Sequence, residues 1–419
     1  MKSLSLLSRV NLLFLIGFSI SIPASKAGMN LFLYTYLLSS FALLRFDNVQ
    51  LNDSSRWVLK SSLIVFGLGI VLALFSKGFD KDAIVYIQKY AYLLFPGALL
   101  ISIHKSKRFA WWSIGAFILS VIVCLSIDLY SFAIIHDFFH NRGVVRLWGQ
   151  IGYSRWPIVL VTAMTIALLV ELNTKKWLLK GLAWLFVALA LVGLALSGSK
   201  GGIVAVGVVG FAYLLILAKK NWFIAPVVLL LVFVGVNSEL FQKTIGQRGL
   251  NTETITASSS TQARLVMIKT GAALSVNNLQ NDIAYFLFGG GIENPEEPFQ
   301  NALDKLPDQE NQALIYRGKH WGHTDLHNSY LDQLLKSGVI FSILFYWLII
   351  QVTFRAFKGL KTVEQYHYLP SMFATTLVSY VVFNAFYSNF SDYAIYSQIY
   401  LIAIALASPN ILNKSTPVE

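Results

Sequence analysis

His323-Thr324-Asp325-Leu326-His327-Asn328 closes the part of the chain around which the rest is organised, the polar segment at residues 239–327. The polar segment contains Arg264, the run Gly289-Gly290-Gly291 and three of the seven histidines, and strongly apolar sequence flanks it on both sides. This arrangement predicts a folded cap on one face of a membrane, with the chemistry located where the cap meets the membrane helices.

The composition is that of a polytopic membrane protein. Hydrophobic residues make up 56% of the sequence and charged residues only 13%, whereas a soluble domain carries about a quarter charged residues. Lys and Arg collect in cytoplasmic loops, so the formal charge of +12 does not indicate nucleic-acid binding. The single cysteine, Cys124, lies in an apolar run, which excludes a disulfide framework and a cysteine metal site.

Apolar runs of about 20 residues, the length that spans a bilayer as a helix, predict the membrane topology. The first run also resembles a signal peptide, because Lys2 and Arg9 precede a short apolar core that ends at Ser25-Lys26-Ala27. We favour a first helix that stays in the mature protein over a signal peptide that is cleaved off. We therefore expect an all-α protein with twelve transmembrane helices, at residues 10–26, 29–45, 58–76, 88–103, 110–134, 156–172, 177–197, 201–218, 222–238, 336–354, 368–387 and 391–408.

The placement of Lys and Arg predicts the orientation of these helices. Apart from the polar segment, seventeen lie in one set of loops and eight in the opposite set, and the richer side is cytoplasmic by the positive-inside rule. Both termini then face the cytoplasm, and the polar segment faces the opposite side, which in a bacterium is the periplasm. Three parts are expected: helices one to nine in 1–238, a periplasmic cap in 239–327, and helices ten to twelve with a cytoplasmic tail in 328–419.

Within the polar segment, residues 263–276 predict a helix that begins near the membrane. Residues 251–262 are rich in Thr and Ser, and residues 289–312 contain Gly, Asn and three prolines. Both of these ranges are therefore expected to be irregular.

Three outward-facing sequences carry cations that could gather in one pocket. They are Arg142–Tyr153, with Arg142 and Arg146; the Ser197–Gly202 turn, with Lys200; and the polar segment, with Arg264 and His327. A lipid-linked diphosphate suits such a pocket, because its charge requires Arg or Lys and its tail can lie among the helices. A neutral imidazole could accept the proton of an attacking hydroxyl, while the cations would stabilise charge on the departing diphosphate.

Each candidate also has a structural interpretation. Arg142 can reach lipid headgroups, and Arg264 can pair with an acidic residue. His323 and His327 have the i, i+4 spacing of zinc ligands, but the Glu of an H-E-x-x-H motif and an obvious third ligand are lacking. Asp128, inside a predicted helix, raises the alternative of a transporter or flippase, which would also need polar groups at the bilayer midplane and internal repeats.

Four motifs, taken in order on the same predicted face, resemble those of the O-antigen ligase family. They are Arg146…Gly149…Gly152; Ser197-Gly198-Ser199-Lys200-Gly201-Gly202; Ala263-Arg264-Leu265 with Phe288-Gly289-Gly290-Gly291; and His327-Asn328-Ser329-Tyr330-Leu331 with Gly338. The family usually has Arg where this chain has Lys200, which keeps the charge but loses bidentate geometry. The resemblance covers most of the chain, and the family is related to O-antigen polymerases and to some protein O-oligosaccharyltransferases.

The resemblance implies a metal-independent, GT-C-like glycosyltransferase with a lipid-linked donor and no cofactor. It would transfer a glycan from undecaprenyl diphosphate to a sugar hydroxyl of lipid A–core at the periplasmic face of the bilayer, with inversion, in lipopolysaccharide biosynthesis. His327 would be the base and Arg264 a second catalytic residue, and the diphosphate would be bound by Arg142, Arg146, Lys200 and Arg264. An O-antigen polymerase and a transferase acting on protein Ser or Thr are the alternatives that share this fold.

Overall fold

The chain folds as a helical polytopic membrane protein. The computed structural model describes residues 4–76, 79–135, 147, 149–152, 155–197, 199–220, 259–291, 296–307, 310, 314–316, 319–320, 326–363, 368–387, 390 and 392–412. Within these residues, eight helices are long and apolar enough to cross a membrane, and three shorter apolar helices accompany them. The predicted helical membrane fold is thereby confirmed, and the helix expected at 222–238 lies outside the described residues.

The helices and strands have the following bounds in chain order. They are α1 (Leu6–Ala24), α2 (Lys26–Phe46), α3 (Asp53–Ala73), α4 (Phe79–Tyr90), α5 (Phe95–Lys105), α6 (Arg108–Tyr130), α7 (Trp156–Asn173), α8 (Trp177–Ser197), α9 (Lys200–Lys220), α10 (Ser259–Asn281), α11 (Ile283–Phe288), α12 (Glu296–Asp304), β1 (Ile315–Tyr316), β2 (Lys319–His320), α13 (Ser329–Lys361), α14 (Leu369–Asn384) and α15 (Ala394–Leu412). A 3-10 turn at Ala91–Leu94 connects α4 to α5, and the two helices together make one crossing.

Buried polar side chains help to hold the first helices together. Asn11 of α1 donates to the hydroxyls of Ser39 and Ser40 in α2, both at 2.9 Å, and accepts from Ser102 of α5 at 2.8 Å. Lipid offers no alternative partners, and such bonds between membrane helices contribute about 0.6 kcal/mol each on average. The network therefore fixes which faces of α1, α2 and α5 meet.

The end of the bundle that contains the N-terminus is closed by an ion pair. Lys105, at the end of α5, lies 2.9 Å from Asp47, which follows α2, and Ser5 and Ser8 also donate to this carboxylate. The hydrogen bond from Lys105, followed by that from Ser5, lowers the pKa of Asp47. The carboxylate therefore stays ionised well below neutral pH and ties the ends of three helices together.

The described part of the polar segment has an apolar core of its own. The helix predicted at 263–276 is confirmed as part of α10, which begins earlier than expected, at Ser259. Residues 296–304 form α12, so the expectation of irregular structure is wrong there; Pro298 lies in the first turn, where a helix tolerates proline. The buried residues of this core, which α13 also joins, are Ala263, Val266, Met267, Tyr285, Phe299, Leu303, Leu314, Leu326 and Leu335.

A break in α13 connects the polar segment to the membrane helices. Gly338 has φ +72° inside α13, and Gly289, after α11, has φ +87°. The two glycines lie against each other: a Cβ on Gly338 would be 2.3 Å from the Leu287 carbonyl oxygen, and one on Gly289 would be 2.3 Å from the Lys336 carbonyl oxygen. Only glycine fits both positions, because any side chain would overlap backbone atoms.

Two hydrogen bonds stabilise this break. The amides of Gly290 and Gly291 donate to the carbonyl oxygens of Leu335 and Lys336 at 2.8 and 3.1 Å. These carbonyls precede the break, where the helix itself no longer supplies donors. The glycine run thus separates a short first part of α13 from its long membrane-spanning part.

Candidate functional site

The His327–Tyr330 motif is fixed to the end of α14. Asn328 caps α13, because its Oδ1 accepts from the amides of Tyr330 and Leu331, both at 3.0 Å. Its side-chain amide donates to the Ala385 carbonyl oxygen at 3.1 Å, and the Ser329 hydroxyl donates to the Tyr387 carbonyl oxygen. The oxygen and the nitrogen of the Asn328 side-chain amide are thus both hydrogen-bonded, which fixes Asn328 and therefore the position of His327, the residue before it.

His327 lies where the polar segment meets the membrane helices. It has φ +49° and is half-buried, and histidine is among the few non-glycine residues that are enriched in this region. Leu326 is buried in the core of the polar segment and packs closely over Gly271 of α10. The backbone of His327 is therefore fixed between a buried leucine on one side and the Asn328 cap on the other, in a left-handed conformation that costs free energy for residues other than glycine.

Arg264 carries a donor that no described residue uses. Its neighbour Ala263 is buried in the same core as Leu326, which places α10 against the His327 motif. The Arg264 guanidinium carbon lies 5.2 Å from the ring centroid of Tyr387. Its Nε is buried, and no described residue accepts a hydrogen bond from it. Because a buried unpaired donor of this kind is costly, the arrangement suits an anionic ligand.

The turn before α9 contacts the same tyrosine. The Ser199 hydroxyl lies 3.1 Å from the Tyr387 hydroxyl and accepts from the Gly202 amide at 3.2 Å. A Cβ on Gly201 would lie 2.8 Å from the Tyr387 ring, so glycine permits this approach. Lys200 is the first residue of α9, whose N-terminus favours anions, and its side chain lies outside the described part of the structure.

Arg142 and Arg146 lie outside the described residues. The Leu147 amide, next in the chain after Arg146, donates to the Leu196 carbonyl oxygen at 3.1 Å. This hydrogen bond places the described end of that sequence beside the Ser197–Gly202 turn. Gly149 has φ +64° and lies directly against Trp156, which begins α7.

Tyr387 is the residue at which the Ser197–Gly202 turn, Arg264 of α10 and the His327–Tyr330 motif meet. It contacts Ser199, Arg264 and Ser329, and its ring stacks on Phe383 with centroids 4.4 Å apart. Sequence reasoning missed it, because it is one of 19 tyrosines and no motif singles it out. Only the packing of α14 against α9, together with the contact between Arg264 and the segment after α14, gives it this position.

We expect two substitutions of Tyr387 to lower the free energy of unfolding by different amounts. Tyr387→Phe removes the hydrogen bond to Ser199 and costs about 1 kcal/mol. Tyr387→Leu also removes the ring under Arg264 and the stacking on Phe383, and costs about 2 kcal/mol. Thermal unfolding of the purified protein in detergent measures both, and equal melting temperatures for the two variants would contradict this account.

Other candidates have structural partners or lie outside the described residues. His323 is outside them, so the structure does not test whether His323 and His327 lie together. Asp128 accepts a hydrogen bond from Gln150 at 3.1 Å. Arg155, which precedes α7, donates from Nε to both carboxylate oxygens of Asp392, at 2.7 and 2.8 Å, so its charge is paired within the protein.

Comparison with known proteins gives one family match. Residues 184–346 match the family model described as O-antigen ligase. The matched range runs from α8 into α13 and contains Lys200, Arg264 and His327. A search of curated proteins finds no match to this chain.

Proposed function

From the match of residues 184–346 to the O-antigen ligase family model, we propose that the protein is an O-antigen ligase of a bacterial inner membrane. It transfers a glycan from undecaprenyl diphosphate to a sugar hydroxyl of lipid A–core at the periplasmic face. One observation carries the proposal: the buried Nε of Arg264 has no acceptor among the described residues, and Tyr387 contacts this arginine with its ring and the His327–Tyr330 motif with its carbonyl oxygen.

The diphosphate of the donor is the ligand that fits Arg264. Its oxygens accept hydrogen bonds from a guanidinium in the bidentate manner that makes such contacts strong. Lys200 at the start of α9 adds charge and the amides of a helix N-terminus, and Arg142 and Arg146 are proposed as further contacts. The polyprenyl tail then lies among the membrane helices, and the cations stabilise the charge that develops on the leaving diphosphate.

His327 is the proposed base. Its imidazole accepts the proton of the acceptor hydroxyl as that hydroxyl attacks the anomeric carbon. The diphosphate leaves from the opposite side, so a single displacement inverts the configuration. No metal is required in this scheme, because the arginine and lysine side chains carry the positive charge that the leaving group needs.

The orientation of the protein follows from its charges. The end closed by Lys105 and Asp47 belongs to the loops that hold seventeen of the Lys and Arg residues, against eight at the end that carries the candidate site. We propose that the first end is cytoplasmic and that the polar segment is a periplasmic cap at residues 239–327. Accessibility of single cysteines to a membrane-impermeant thiol reagent in intact and permeabilised cells tests this orientation.

Replacement of Arg264 is expected to weaken donor use strongly. Arg264→Gln removes the charge and should lower kcat/KM for the donor by about a hundredfold, and Arg264→Lys by about tenfold, because charge alone does not restore the bidentate contact. Steady-state kinetics with purified donor and acceptor measures both. Lys269→Gln, on an exposed residue of the same helix, is the matched control and should behave as wild type. If Arg264→Gln retained wild-type kcat/KM, this diphosphate contact would be excluded.

Lys200→Arg is expected to keep activity within about threefold of wild type, because both side chains offer a positive charge to phosphate. Lys200→Gln should lose much more activity than Lys200→Arg, because it has no positive charge. The same kinetic assay separates the two variants. Loss of activity in Lys200→Arg with normal folding would indicate that Lys200 has a packing role instead.

Deletion of the gene tests the function as a whole. A strain that lacks an O-antigen ligase makes bare lipid A–core and accumulates lipid-linked polymer, whereas loss of a polymerase leaves core that carries a single repeat unit. Gel analysis of lipopolysaccharide distinguishes these outcomes. The purified protein must also form a covalent product from lipid-linked glycan and lipid A–core, and movement of the donor across a bilayer without product would instead indicate a flippase.

A further inference from the structure

An apolar cavity of about 300 Å³ lies at the end of the bundle opposite the candidate site. It reaches the start of α6 and of α14 and the end of α7, α13 and α15, whereas the candidate site lies where α13 begins and α14 ends. The apolar residues of its lining include Trp111, Ile166, Leu360, Phe373, Leu401 and Ile404. Five helices therefore enclose a space that none of them fills.

The lining of this cavity offers few hydrogen-bond partners to water. The hydroxyls of Thr165 and Ser408 donate to backbone carbonyl oxygens of their own helices, at 2.9 and 2.8 Å. The Thr174 hydroxyl accepts from a backbone amide at 3.2 Å. Apolar cavities stay dry, and one of this size left empty would cost much of the stability of the protein. Hydrocarbon is the filling that suits it.

The cavity is long and opens on the surface of the bundle. Its lining extends from Thr165 to Thr174 along α7 and from Leu401 to Leu412 along α15. At a rise of 1.5 Å per residue these distances are about 14 and 16 Å, so the cavity suits an extended hydrocarbon chain. Trp111 lines it and is 54% exposed on α6, which is long and apolar enough to cross a membrane. A lipid chain can therefore enter from the bilayer.

Lysines lie at the end of the cavity where the helices end. Thr174 and Leu360 line the cavity, and Lys175 and Lys361 follow them directly in the chain. Consecutive Cα atoms are about 3.8 Å apart, so both lysines begin beside the cavity. Lys175, Lys176 and Lys361, here called the basic rim, are all exposed. The connection between α7 and α8 contains no acidic residue and that between α13 and α14 contains one, so the rim has a net positive charge.

We propose that the cavity and the basic rim bind one anionic phospholipid, with an acyl chain in the cavity and the phosphate at the rim. Lysine side chains suit this contact, because their flexible stems lie along apolar surface while the ammonium groups reach the phosphate. The polyprenyl tail of a donor would fill the cavity without using the rim, because its diphosphate belongs to the candidate site at the opposite end. The inference does not depend on the proposed function.

Lipid binding to the purified protein tests the role of the basic rim. Native mass spectrometry in a neutral detergent measures binding of phosphatidylglycerol and of phosphatidylcholine with the same acyl chains. We expect one phosphatidylglycerol to bind about tenfold more tightly than phosphatidylcholine. Lys175→Gln/Lys176→Gln/Lys361→Gln should bind both lipids with the weaker affinity, and the same three changes to Arg should keep the preference. Lys269→Gln, which removes an exposed cation from α10, is the matched control and should bind as wild type.

A variant that fills the cavity tests where the acyl chain lies. Ala405 is a buried residue of α15 in the lining, and Ala405→Leu occupies part of the space. It should raise the melting temperature of lipid-free protein, because it fills a void, and should abolish the further rise that phosphatidylglycerol gives to wild type. Ala188→Leu adds the same side chain to the exposed surface of α8 and should keep that rise. If Ala405→Leu fails to fold, the lysine variants decide.

Three results would overturn the assignment. Equal affinity of wild type for phosphatidylglycerol and phosphatidylcholine would show that the rim does not select an anionic lipid. Unchanged binding by folded Ala405→Leu would show that the acyl chain lies elsewhere. Displacement of phosphatidylglycerol by an equal mole fraction of uncharged polyprenol would assign the cavity to the donor tail. These measurements need no turnover, so failure of the ligase function and failure of the lipid site are distinguished.

Discussion

His327→Ala is expected to abolish glycan transfer, lowering kcat by about a thousandfold, the contribution of a well-placed general base. His327 lies at the boundary between α13 and the core of the polar segment, between the Asn328 cap and buried Leu326. A methyl group cannot accept the proton of the attacking hydroxyl. A radiolabelled glycan donor with lipid A–core as acceptor measures the loss, and donor binding should stay within about threefold of wild type.

The backbone at this position calls for a second variant. His327 has φ +49°, and alanine is less easily accommodated there than asparagine. His327→Asn keeps a residue that tolerates this conformation but supplies no base. It should match wild type in melting temperature and match His327→Ala in activity. Transfer near the wild-type rate in His327→Asn would show that the base is another group.

Gly338→Ala is expected to destabilise the protein by about 3 kcal/mol or more, because alanine is strained at φ +72° and its Cβ would overlap the Leu287 carbonyl oxygen. The break in α13 would have to move, and the hydrogen bonds from Gly290 and Gly291 would be lost with it. The first part of α13 carries the Asn328 cap, so transfer activity should fall as well. Thermal unfolding in detergent and the transfer assay measure the two effects.

Matched glycines provide the comparison. Gly289→Ala should destabilise the protein as much as Gly338→Ala does. Each glycine lies directly against the backbone next to the other glycine. Gly67→Ala and Gly115→Ala place a Cβ in open space and should leave the melting temperature unchanged or slightly raised. If Gly338→Ala were as stable as Gly67→Ala, the close contact between the two segments would be refuted.

Much of the fold follows from the sequence because a bilayer leaves few alternatives for an apolar chain. The apolar run predicted at 177–197 corresponds to α8, Trp177–Ser197. The run predicted at 336–354 lies within α13, but that helix begins at Ser329 and breaks at Gly338. The single helix expected at 88–103 instead contains the 3-10 turn Ala91–Leu94 ahead of Pro96. Hydropathy reports burial in lipid and is insensitive to such breaks.

The sequence by itself determined the helical membrane fold and singled out Arg264, Lys200 and the His327 motif as candidates, since apolar length and short motifs are local properties of a chain. Only the tertiary structure decided that Tyr387 joins these motifs. Ser199 and Tyr387 bond across 188 residues of sequence. Which distant side chains meet depends on how the helices pack face against face, and this packing is a property of the whole bundle.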